Sequence, residues 1–422
     1  MISRSMFDKF ILNIQKGDYS ALYRALLYFG FRFSGLVLAL PAVLILWTLK
    51  PFFWLRVGKL HHGRIGHLAL ETDLFLRKRQ LGIIPEGPVY WFICDSRGTA
   101  NQQLLTMFKR VLRVYESRIL VSIFDGMCPL LKKTPFYQPL GLRNNEYFEF
   151  NHANPSVYFT PEETQKGRKL LKRMNIDFDK DKYVSIFARD IAFLKKTIPC
   201  GKWGIKHDIR NSDIDLCIEA VKFLIEKGYT VIRMGAIVTK PIAWSHPRLI
   251  DYAVSEHRCD FLDIFFLQTC KFYIGGPSGI SEVPIIANVP RLSVNYAEFG
   301  YTPFGKNCMY IPKKHRFIKT GSYLKFKEAF ELKLDSHMRN GHELGLEVED
   351  NSSQDILEAT QEMMTRVEGT FQYSPEEEKM MQDFQKQWSI SDVLCRDVPT
   401  PIGIEWLKKH RDLYLPGKDY SF

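Results

Sequence analysis

The longest hydrophobic run of the chain lies near its N-terminus. Residues 33–49 read FSGLVLALPAVLILWTL, with no charge and with Ser34 and Thr48 as the polar members. A helix needs about 17–25 apolar residues to span a bilayer core, so this run is close to the minimum. Pro41 predicts a kink within it. Residues 50–54 end it with a lysine, a proline and three aromatic rings, a pattern typical of a membrane interface.

Three arrangements of this segment remain open. It can form a single membrane span, a re-entrant insertion into one membrane face, or a buried helix of a soluble domain. The preceding residues 19–32 have a pattern compatible with an amphipathic helix in the headgroup layer. A cleaved signal peptide is not predicted, because the run begins late and no A-x-A site follows it.

Beyond residue 51 short apolar runs alternate with amphipathic stretches. In the first half the pattern predicts strands at 52–60, 88–95 and 118–126, and helices at 68–81 and 101–115. In the second half it predicts strands at 182–190, 229–235, 248–253, 271–276 and 290–295, and helices at 212–227, 261–270 and within 277–289. Alternation of this kind implies parallel sheets. We therefore predict an α/β fold of two Rossmann-like domains behind an N-terminal membrane-associating helical segment.

A polar, highly charged stretch at 162–182 marks the expected boundary between the two domains. The predicted organisation is a membrane-associating segment at 1–51, Rossmann-like domains at 52–172 and 173–350, and a helical tail at 351–422. Helices are expected in the tail near 354–366 and 375–386, and we expect the tail to pack over the first domain.

The distribution of charge indicates the binding partners of the chain, and the cysteines indicate the state of its thiols. The chain of 422 residues carries 58 basic and 47 acidic side chains, a formal charge of +11. Residues 1–60 contain eight basic and two acidic residues, so most of the excess surrounds the apolar run. This indicates the cytoplasmic face of a membrane with anionic lipid, and nucleic-acid binding is not predicted because no binding motif is present. The eight cysteines form no C-x-x-C pair, which favours reduced thiols and no zinc site.

Ligands of open α/β sheets bind at the carboxyl ends of the strands. In the second half these ends carry arginines, which match phosphate oxygens, and a glycine- and serine-containing turn whose N–H groups can hold a diphosphate. Each signal alone is weak, since such turns and arginines are mostly structural. Their joint placement predicts a donor site formed by Arg189, Lys195, Arg210, Asn211, Arg233, Gly235, Asp263, Gly276, Ser278, Gly279 and Glu282.

In the first half the main candidate is the loop His-His-Gly-Arg-Ile-Gly-His at 61–67. Its glycines permit close backbone approach, and His67 can act as a base near neutral pH. Asp95 and Asp125, each placed at the end of a predicted strand, are alternative bases. A capping or packing role for His67 also stays open.

At these residues the chain resembles a family of glycosyltransferases found with bacterial surface-polysaccharide genes. The resemblance is carried by R-I-G-H-L-A-L-E at 64–71, by R-N-S-D-I and G-Y-T-V-I-R-M-G within 210–235, by D-F-L-D-I-F-F at 260–266 and by G-G-P-S-G at 275–279. It covers about residues 52–300. More distantly, Arg189 and the Gly/Ser turn are similar to the donor half of fucosyltransferase-type and heptosyltransferase-type enzymes.

The resemblance implies a GT-B fold, with the nucleotide-sugar in the second domain. It implies an acceptor in the first domain, beside Arg64, Gly66, His67 and Glu71. Enzymes of that fold commonly work without a bound metal. This agrees with the sequence, in which the D-x-D string at 213–215 falls in a predicted helix rather than at a strand end.

Together these observations predict a metal-independent, inverting transfer of a sugar from a nucleotide-sugar to a lipid-linked glycan. The expected setting is the cytoplasmic face of the inner membrane, in surface polysaccharide or lipopolysaccharide synthesis. Arg189 and Arg233 would hold the diphosphate with Lys195 or Lys196, and the catalytic groups would be Arg189 with His67 or Asp95 as base. No cofactor or metal is predicted, and the oligomeric state stays open. A sugar-nucleotide epimerase of the same fold and a non-catalytic membrane scaffold are the alternatives.

Overall fold

A computed structural model describes most of the chain. The described residues are 19–95, 97–141, 147–192, 195, 209–298, 303–332, 334, 341, 343–389 and 400–415. Among the described residues the first element is one long helix, α1 (Tyr19–Leu49), which continues through Pro41. Within it, Ala25–Leu49 has a mean hydropathy of 2.0 and is long and apolar enough to cross a membrane by length and composition.

The first sheet has three parallel strands in the order β1-β2-β3. The strands are β1 (Leu55–Lys59), β2 (Val89–Cys94) and β3 (Arg113–Glu116). Each strand is followed by a helix: α2 (Ile65–Gln80), α3 (Gln102–Val111) and α4 (Arg118–Leu131). The strands predicted at 52–60 and 88–95 and the helix predicted at 68–81 are confirmed, and the helix predicted at 101–115 is confirmed up to Val111, after which residues 113–115 belong to β3.

The strand predicted at 118–126 is wrong, because these residues form the first part of α4. Ser117 caps this helix by accepting a hydrogen bond from the Leu120 N–H. The run is apolar on both faces, and periodicity does not separate a short buried strand from a buried helix. The third strand is the preceding Arg113–Glu116, a short and largely exposed edge strand.

In the described part of the segment between the two sheets lie the helices α5 (Tyr147–His152) and α6 (Pro161–Arg173). Helix α6 begins with a capping box in which Thr160 and Glu163 satisfy each other's backbone N–H groups. The charged stretch that marks the predicted boundary thus begins as a regular helix. Gly167 on this helix lies so close to the ring of Phe265 that a Cβ would come within 2.3 Å of it.

The second sheet has six parallel strands in the order β6-β5-β4-β7-β8-β9. This is the strand order of a complete Rossmann fold. The strands are β4 (Tyr183–Phe187), β5 (Thr230–Arg233), β6 (Leu249–Ile250), β7 (Tyr273–Gly275), β8 (Arg291–Tyr296) and β9 (Cys308–Pro312). The helices between them are α7 (Ile218–Glu226), α8 (Asp260–Thr269) and α9 (Val283–Ile286). The predicted α/β class with two Rossmann-like domains is confirmed.

The remaining elements cover the second domain. They are the antiparallel strands β10 (Lys314–Phe317) and β11 (Leu346–Glu349), and the helices α10 (Phe326–Glu331), α11 (Ser353–Val367), α12 (Pro375–Ser389), α13 (Ile404–Lys409) and α14 (Arg411–Tyr414). Ile356, Phe384 and Trp406 lie in one core cluster with Val184 and Val231 of the second sheet. The expectation that the tail packs over the first domain is therefore wrong for its described residues.

Helix α2 lies between the two domains and is buried from Leu68 to Arg77. It was expected to be amphipathic, but both domains cover it. Residues of α2 such as Leu68 and Phe75 share a core cluster with Phe261 and Ile285 of the second domain. The two domains are thus joined by a continuous apolar core.

Arg77 makes buried polar contacts beside this apolar core. Its side chain is fully buried and its Nε donates to Asp73 Oδ2 at 2.5 Å. Its guanidinium also donates to Ile286 O at 3.0 Å and to Asn288 Oδ1 at 3.1 Å, both in the second domain, and to Ala153 O at 2.9 Å. One side chain therefore links α2, the connecting segment and the second domain.

We expect Arg77→Met to lower the free energy of unfolding by about 3–5 kcal/mol, because it leaves the Asp73 carboxylate buried without its partner. The matched control is Arg173→Met at the exposed end of α6, which should change stability by no more than about 0.5 kcal/mol. Thermal and urea unfolding of the full chain in detergent measure both. Equal midpoints for the two variants would show that Arg77 does not hold the domains together.

Candidate active site between the two domains

The loops that follow β1 and β2 lie side by side at one edge of the first sheet. The two strands are parallel neighbours, and the Ala100 N–H donates to His62 O at 2.9 Å. Asp95, half-buried, lies in the second of these loops and accepts a hydrogen bond from the Arg97 N–H at 3.1 Å. The structure therefore brings the 61–67 loop and Asp95 to the same edge of the sheet.

Two histidines share one buried carboxylate in the first loop. His67 Nδ1 lies 2.6 Å from Glu71 Oε1, and His61 Nδ1 contacts the other carboxylate oxygen. The side chain of Glu71 is 8% exposed, whereas both histidines are 49% exposed. A carboxylate that accepts the Nδ1–H of a histidine fixes its tautomer and leaves Nε2 available as a base.

Electrostatics support an ionised carboxylate here. Burial works against ionisation of Glu71, but the hydrogen bonds from His61 and His67 outweigh it and lower the pKa of Glu71 to about 2. The hydrogen bond to Glu71 raises the pKa of His61 in turn. Glu71 is thus an anion that positions two imidazoles at the start of α2.

The same three side chains have the composition of a divalent-metal site. One ligand atom from each of His61, His67 and Glu71 lies within 4.8 Å of the others. Imidazole and carboxylate suit zinc and related transition metals. The sequence spacing did not reveal this cluster, because the three residues are divided between a loop and the first turns of a helix.

The glycine motifs of the two domains touch. A Cβ on Gly66 would lie 2.7 Å from Gly279 Cα, and a Cβ on Gly279 would lie 3.1 Å from Gly66 N. Both positions need glycine so that the backbones can approach this closely. The start of α2 is thus pressed against the 275–279 turn of the second domain, with His67 in the next position.

Side-chain hydrogen bonds hold the 275–279 turn in shape. Ser281 Oγ donates to Gly276 O at 2.7 Å and lies 2.9 Å from Tyr273 Oη. Ser278 precedes a short 3-10 helix, Gly279–Glu282, which runs into the four-residue α9. The predicted loop and short helix are confirmed. These turns are too short for a substantial helix dipole, so any anion here would rely on individual N–H groups.

Charged side chains surround Glu282 at this junction. Arg291 Nη1 lies 3.8 Å from Glu282 Oε2, and Arg210 Nη2 lies 2.6 Å from Glu298 Oε1. Burial raises the pKa of Glu282 and the negative charge of Glu298 adds to the rise, whereas Arg291, Arg210 and the nearby imidazole of His67 oppose it. Glu282 is therefore within electrostatic reach of His67 across the domain junction.

The Arg210 guanidinium has one N–H donor, at Nε, that is buried and unpaired among the described residues. The Arg210 carbonyl lies 3.9 Å from the place a Cβ of Gly276 would occupy, so the backbone of residue 210 runs beside the turn. Its guanidinium pairs with Glu298 and lies within electrostatic range of Glu282 at the end of the 3-10 helix.

Arg291 was missed by sequence reasoning. It begins β8, is buried, and donates to Ser281 O at 3.2 Å and to Phe304 O at 3.1 Å. It braces the 3-10 helix and neutralises part of the charge of Glu282. A charged residue that opens an otherwise apolar strand was the signal that could have found it.

Arg233 does not have the role predicted for it. Its side chain is 1% exposed, its Nη1 donates to Asp251 Oδ1 at 2.9 Å, and its Nη2 donates to Lys240 O at 3.2 Å. A guanidinium enclosed in this way is a structural ion pair rather than a diphosphate clamp. The nearby Gly235 has a φ of +154°, a backbone conformation that favours glycine and that the turn after β5 adopts.

Two carboxylates that the sequence predicts as site residues, Asp263 and Asp125, form structural hydrogen bonds instead. Asp263 on α8 accepts hydrogen bonds from Tyr252 Oη at 2.9 Å and from Arg258 at 3.1 Å, and burial raises its pKa to about 6. Asp125 lies on α4, where Lys59 Nζ donates to it at 2.9 Å. Since α4 is a helix, Asp125 is not at a strand end and is discarded as a base.

The other predicted donor residues lie around β4. Arg189 follows this strand, is half-buried, and its carbonyl accepts from the Ser212 N–H at 2.9 Å. The Asn211 carbonyl accepts from Lys313 Nζ at 2.7 Å. Lys195 is exposed on a helical turn, and Lys196 lies outside the described residues.

In the first domain Arg64 is the N-cap residue of α2 and is exposed. Its carbonyl accepts from the Leu68 N–H at 2.9 Å, which closes the first turn of the helix. The four predicted acceptor-loop residues thus lie on the first two turns of α2 and the residue before it.

No family model matches the chain, and no curated protein matches it. Among solved structures, a family 9 glycosyl transferase from Veillonella parvula superposes with a TM-score of 0.44 and 10% identity, covering 74% of this chain and 98% of that one.

Two Escherichia coli proteins give similar results. The ADP-heptose lps heptosyltransferase II has a TM-score of 0.43, with 11% identity over 74% of this chain and 100% of its own. The heptosyltransferase WaaC with ADP has a TM-score of 0.28, with 10% identity over 67% and 99%. All three scores lie below 0.5.

We expect Gly66→Ala to lower the free energy of unfolding by about 1–3 kcal/mol, because the new Cβ overlaps Gly279. Alanine favours helices over glycine, so a loss of stability here reports the clash between domains. Gly63→Ala in the same loop is the control, since its nearest neighbour would be 3.9 Å away. If thermal unfolding shows Gly66→Ala as stable as Gly63→Ala, the contact between the two motifs is not tight.

Proposed function

We propose that the chain is a membrane-associated glycosyltransferase that moves a sugar from a nucleotide-sugar to a glycan acceptor. The observation that carries the proposal is the junction at Gly66 and Gly279. There an imidazole oriented by Glu71 lies beside a glycine turn and an arginine, at the carboxyl edges of two facing Rossmann-like sheets. The sequence resemblance to surface-polysaccharide glycosyltransferases supports the same class.

The two domains divide the reaction between them in this proposal. His67 Nε2 removes the proton of an acceptor hydroxyl, whose oxygen then attacks the anomeric carbon of the donor. The bond from that carbon to the diphosphate breaks, the nucleoside diphosphate leaves with the bonding pair, and the configuration inverts. Arg189, Arg210 and the N–H groups of Ser278 and Gly279 stabilise the negative charge that develops on the leaving oxygen.

The position of α1 supports a lipid-linked acceptor. The helix ends at Leu49 and β1 begins at Leu55, so five residues join the apolar segment to the acceptor domain. The basic residues around the segment favour the cytoplasmic face of the inner membrane. Lipid-linked intermediates of surface polysaccharide, including lipopolysaccharide, present their glycan close to such a surface.

To test the base, we first identify the donor by a thermal-shift screen of UDP-, GDP-, CMP-, ADP- and dTDP-sugars, because a bound ligand raises the unfolding temperature. With that donor, His67→Ala should lower kcat by about 100-fold or more. Glu71→Gln should lower it by about tenfold, since it removes the charge that positions His67.

His62→Ala is the matched control, because His62 lies in the same loop with its ring near Leu60 O rather than Glu71. Its kcat should stay within about twofold of the parent, as expected for a side chain outside the reaction. If His67→Ala keeps full activity while Asp95→Asn loses it, the base is Asp95. If no sugar-nucleotide is turned over by the parent chain, the transferase proposal fails in favour of a scaffold.

A chelator separates the metal-independent mechanism from a metal held by His61, His67 and Glu71. We expect kcat to stay the same within about twofold after dialysis against EDTA, because in this proposal arginines and N–H groups stabilise the leaving diphosphate. Reversible loss of activity, restored by Zn²⁺ or Mn²⁺, would instead assign the histidine–glutamate cluster to a metal.

A further inference from the structure

The outer surface of α1 is more apolar than the side that packs on the protein. Large side chains on the outer surface are 57–66% exposed: Phe33, Val37, Leu40, Leu44 and Ile45. The side that faces the first domain carries small residues, with Gly35, Ala39 and Val43 buried. A helix in water shows the reverse pattern, so this surface requires an apolar partner.

Helix α1 is fastened to the first domain along its length. It runs antiparallel to α4, and the two backbones meet at a pair of glycines. A Cβ on Gly126 would lie 1.9 Å from Arg32 O, and one on Gly35 would lie 2.0 Å from Ile123 O. Such close packing of small residues is typical of helix pairs in lipid.

The contact continues beyond the glycines in both directions. Tyr28 Oη donates to Asp125 Oδ2 at 3.2 Å, and the ring of Trp47 packs edge-on against Phe136 at 5.3 Å. From residue 28 to residue 47, at about 1.5 Å per residue, the contact is about 28 Å long. Helix α4 in turn packs on the sheet, where Val121 and Phe124 share a cluster with Ile93 of β2.

This attachment decides how the helix can meet a bilayer. Helix α4 has 14 residues, so it is about 21 Å long, shorter than a hydrocarbon core of about 30 Å. Its ends carry Arg118 and the exposed Lys132 and Lys133. If α1 stood upright across the bilayer, α4 would follow it. Charged residues of α4 and the Lys59–Asp125 ion pair would then lie at hydrocarbon depth, which is strongly unfavourable.

A flat orientation avoids this cost. It turns the apolar surface of α1 into the acyl chains of one leaflet while α4 and its charges stay on the side of the protein. At the C-terminal end Lys50 Nζ lies 4.9 Å and 5.0 Å from the ring centres of Trp47 and Trp54, a pairing suited to the headgroup layer. The excess of basic residues in this part of the sequence fits anionic headgroups.

We infer that α1 lies along one leaflet of an anionic bilayer without crossing it, so that both ends of the helix stay on the same side. Of the three arrangements that the sequence leaves open, the geometry points to insertion into one membrane face. The inference rests on the membrane attachment in the proposed function and is independent of the reaction.

The test uses the full chain with one epitope before Met1 and another after Phe422, in sealed inverted vesicles from the expressing cells. Protease added outside should remove both epitopes without detergent. A protein trapped in the lumen shows that the vesicles stay sealed. If the N-terminal epitope is protected until detergent is added while the C-terminal one is removed, α1 spans the membrane and the inference is overturned.

A pair of variants tests the lipid-facing surface itself. Val37→Glu with Leu44→Glu should weaken co-sedimentation with phosphatidylethanolamine–phosphatidylglycerol vesicles by at least about tenfold. Ile83→Glu with Val254→Glu, at positions 52% and 55% exposed elsewhere, should bind like the parent. Equal binding of both double variants would overturn the assignment of this surface. Nucleotide release measured in detergent shows separately whether the enzyme proposal stands.

Discussion

The buried guanidinium of Arg77 sets the relation between the two domains. A buried charge is stable only when its hydrogen-bonding groups are satisfied, and Arg77 reaches its partners from three parts of the chain. Those partners are in place only when α2, the connecting segment and the second domain pack together. The apolar core around α2 has the same dependence, because its residues come from both domains. Domain packing and folding of α2 are therefore one event.

The same helix begins at the candidate active site. Gly66 touches Gly279 at its N-terminal end and Arg77 contacts residues 285–288 near its C-terminal end, so α2 is held at two points against the second domain. Helix α3 adds a third contact, because the Gln102 N–H donates to Asp260 Oδ2 at 2.7 Å across the junction. His67 and Glu71 are positioned by this rigid packing. Precise placement on regular elements favours catalysis more than placement on a free loop does.

The sequence predicted the fold well where its signals were local. Alternating apolar and amphipathic runs located five strands of the second sheet and the helices between them, and the Gly-Gly-Pro-Ser-Gly turn was correctly placed after its strand. The apolar residues of α4 misled the same method, since a buried helix and a buried strand look alike over nine residues. Arg233 shows another limit, because its ion-pair partner, Asp251, lies just after the neighbouring strand β6, 18 residues further along the chain.

Contacts between residues that are distant in the sequence were not predicted, for a different reason. The residues around Gly66 and Gly279 in the sequence do not predict the contact between these two glycines. The residues around Glu71 likewise do not predict that two histidines share its carboxylate. The path of the tail was likewise mispredicted, because an amphipathic helix shows that it packs but not on which domain. The hydrophobic pattern predicts the strands and helices and the sheet edge that carries the candidate site residues. The partners of individual side chains depend on the tertiary arrangement.

The layers of the first domain connect α1 to the candidate site. Helix α1 packs on α4, α4 packs on the sheet, and the carboxyl edge of that sheet carries the 61–67 loop and Asp95. A bilayer that touches the outer face of α1 is thus two layers of packed structure, each about 10 Å thick, from the strands that lead into the site. Because the layers are packed through glycine contacts and a shared core, the distance from the outer face of α1 to the 61–67 loop is fixed by the fold.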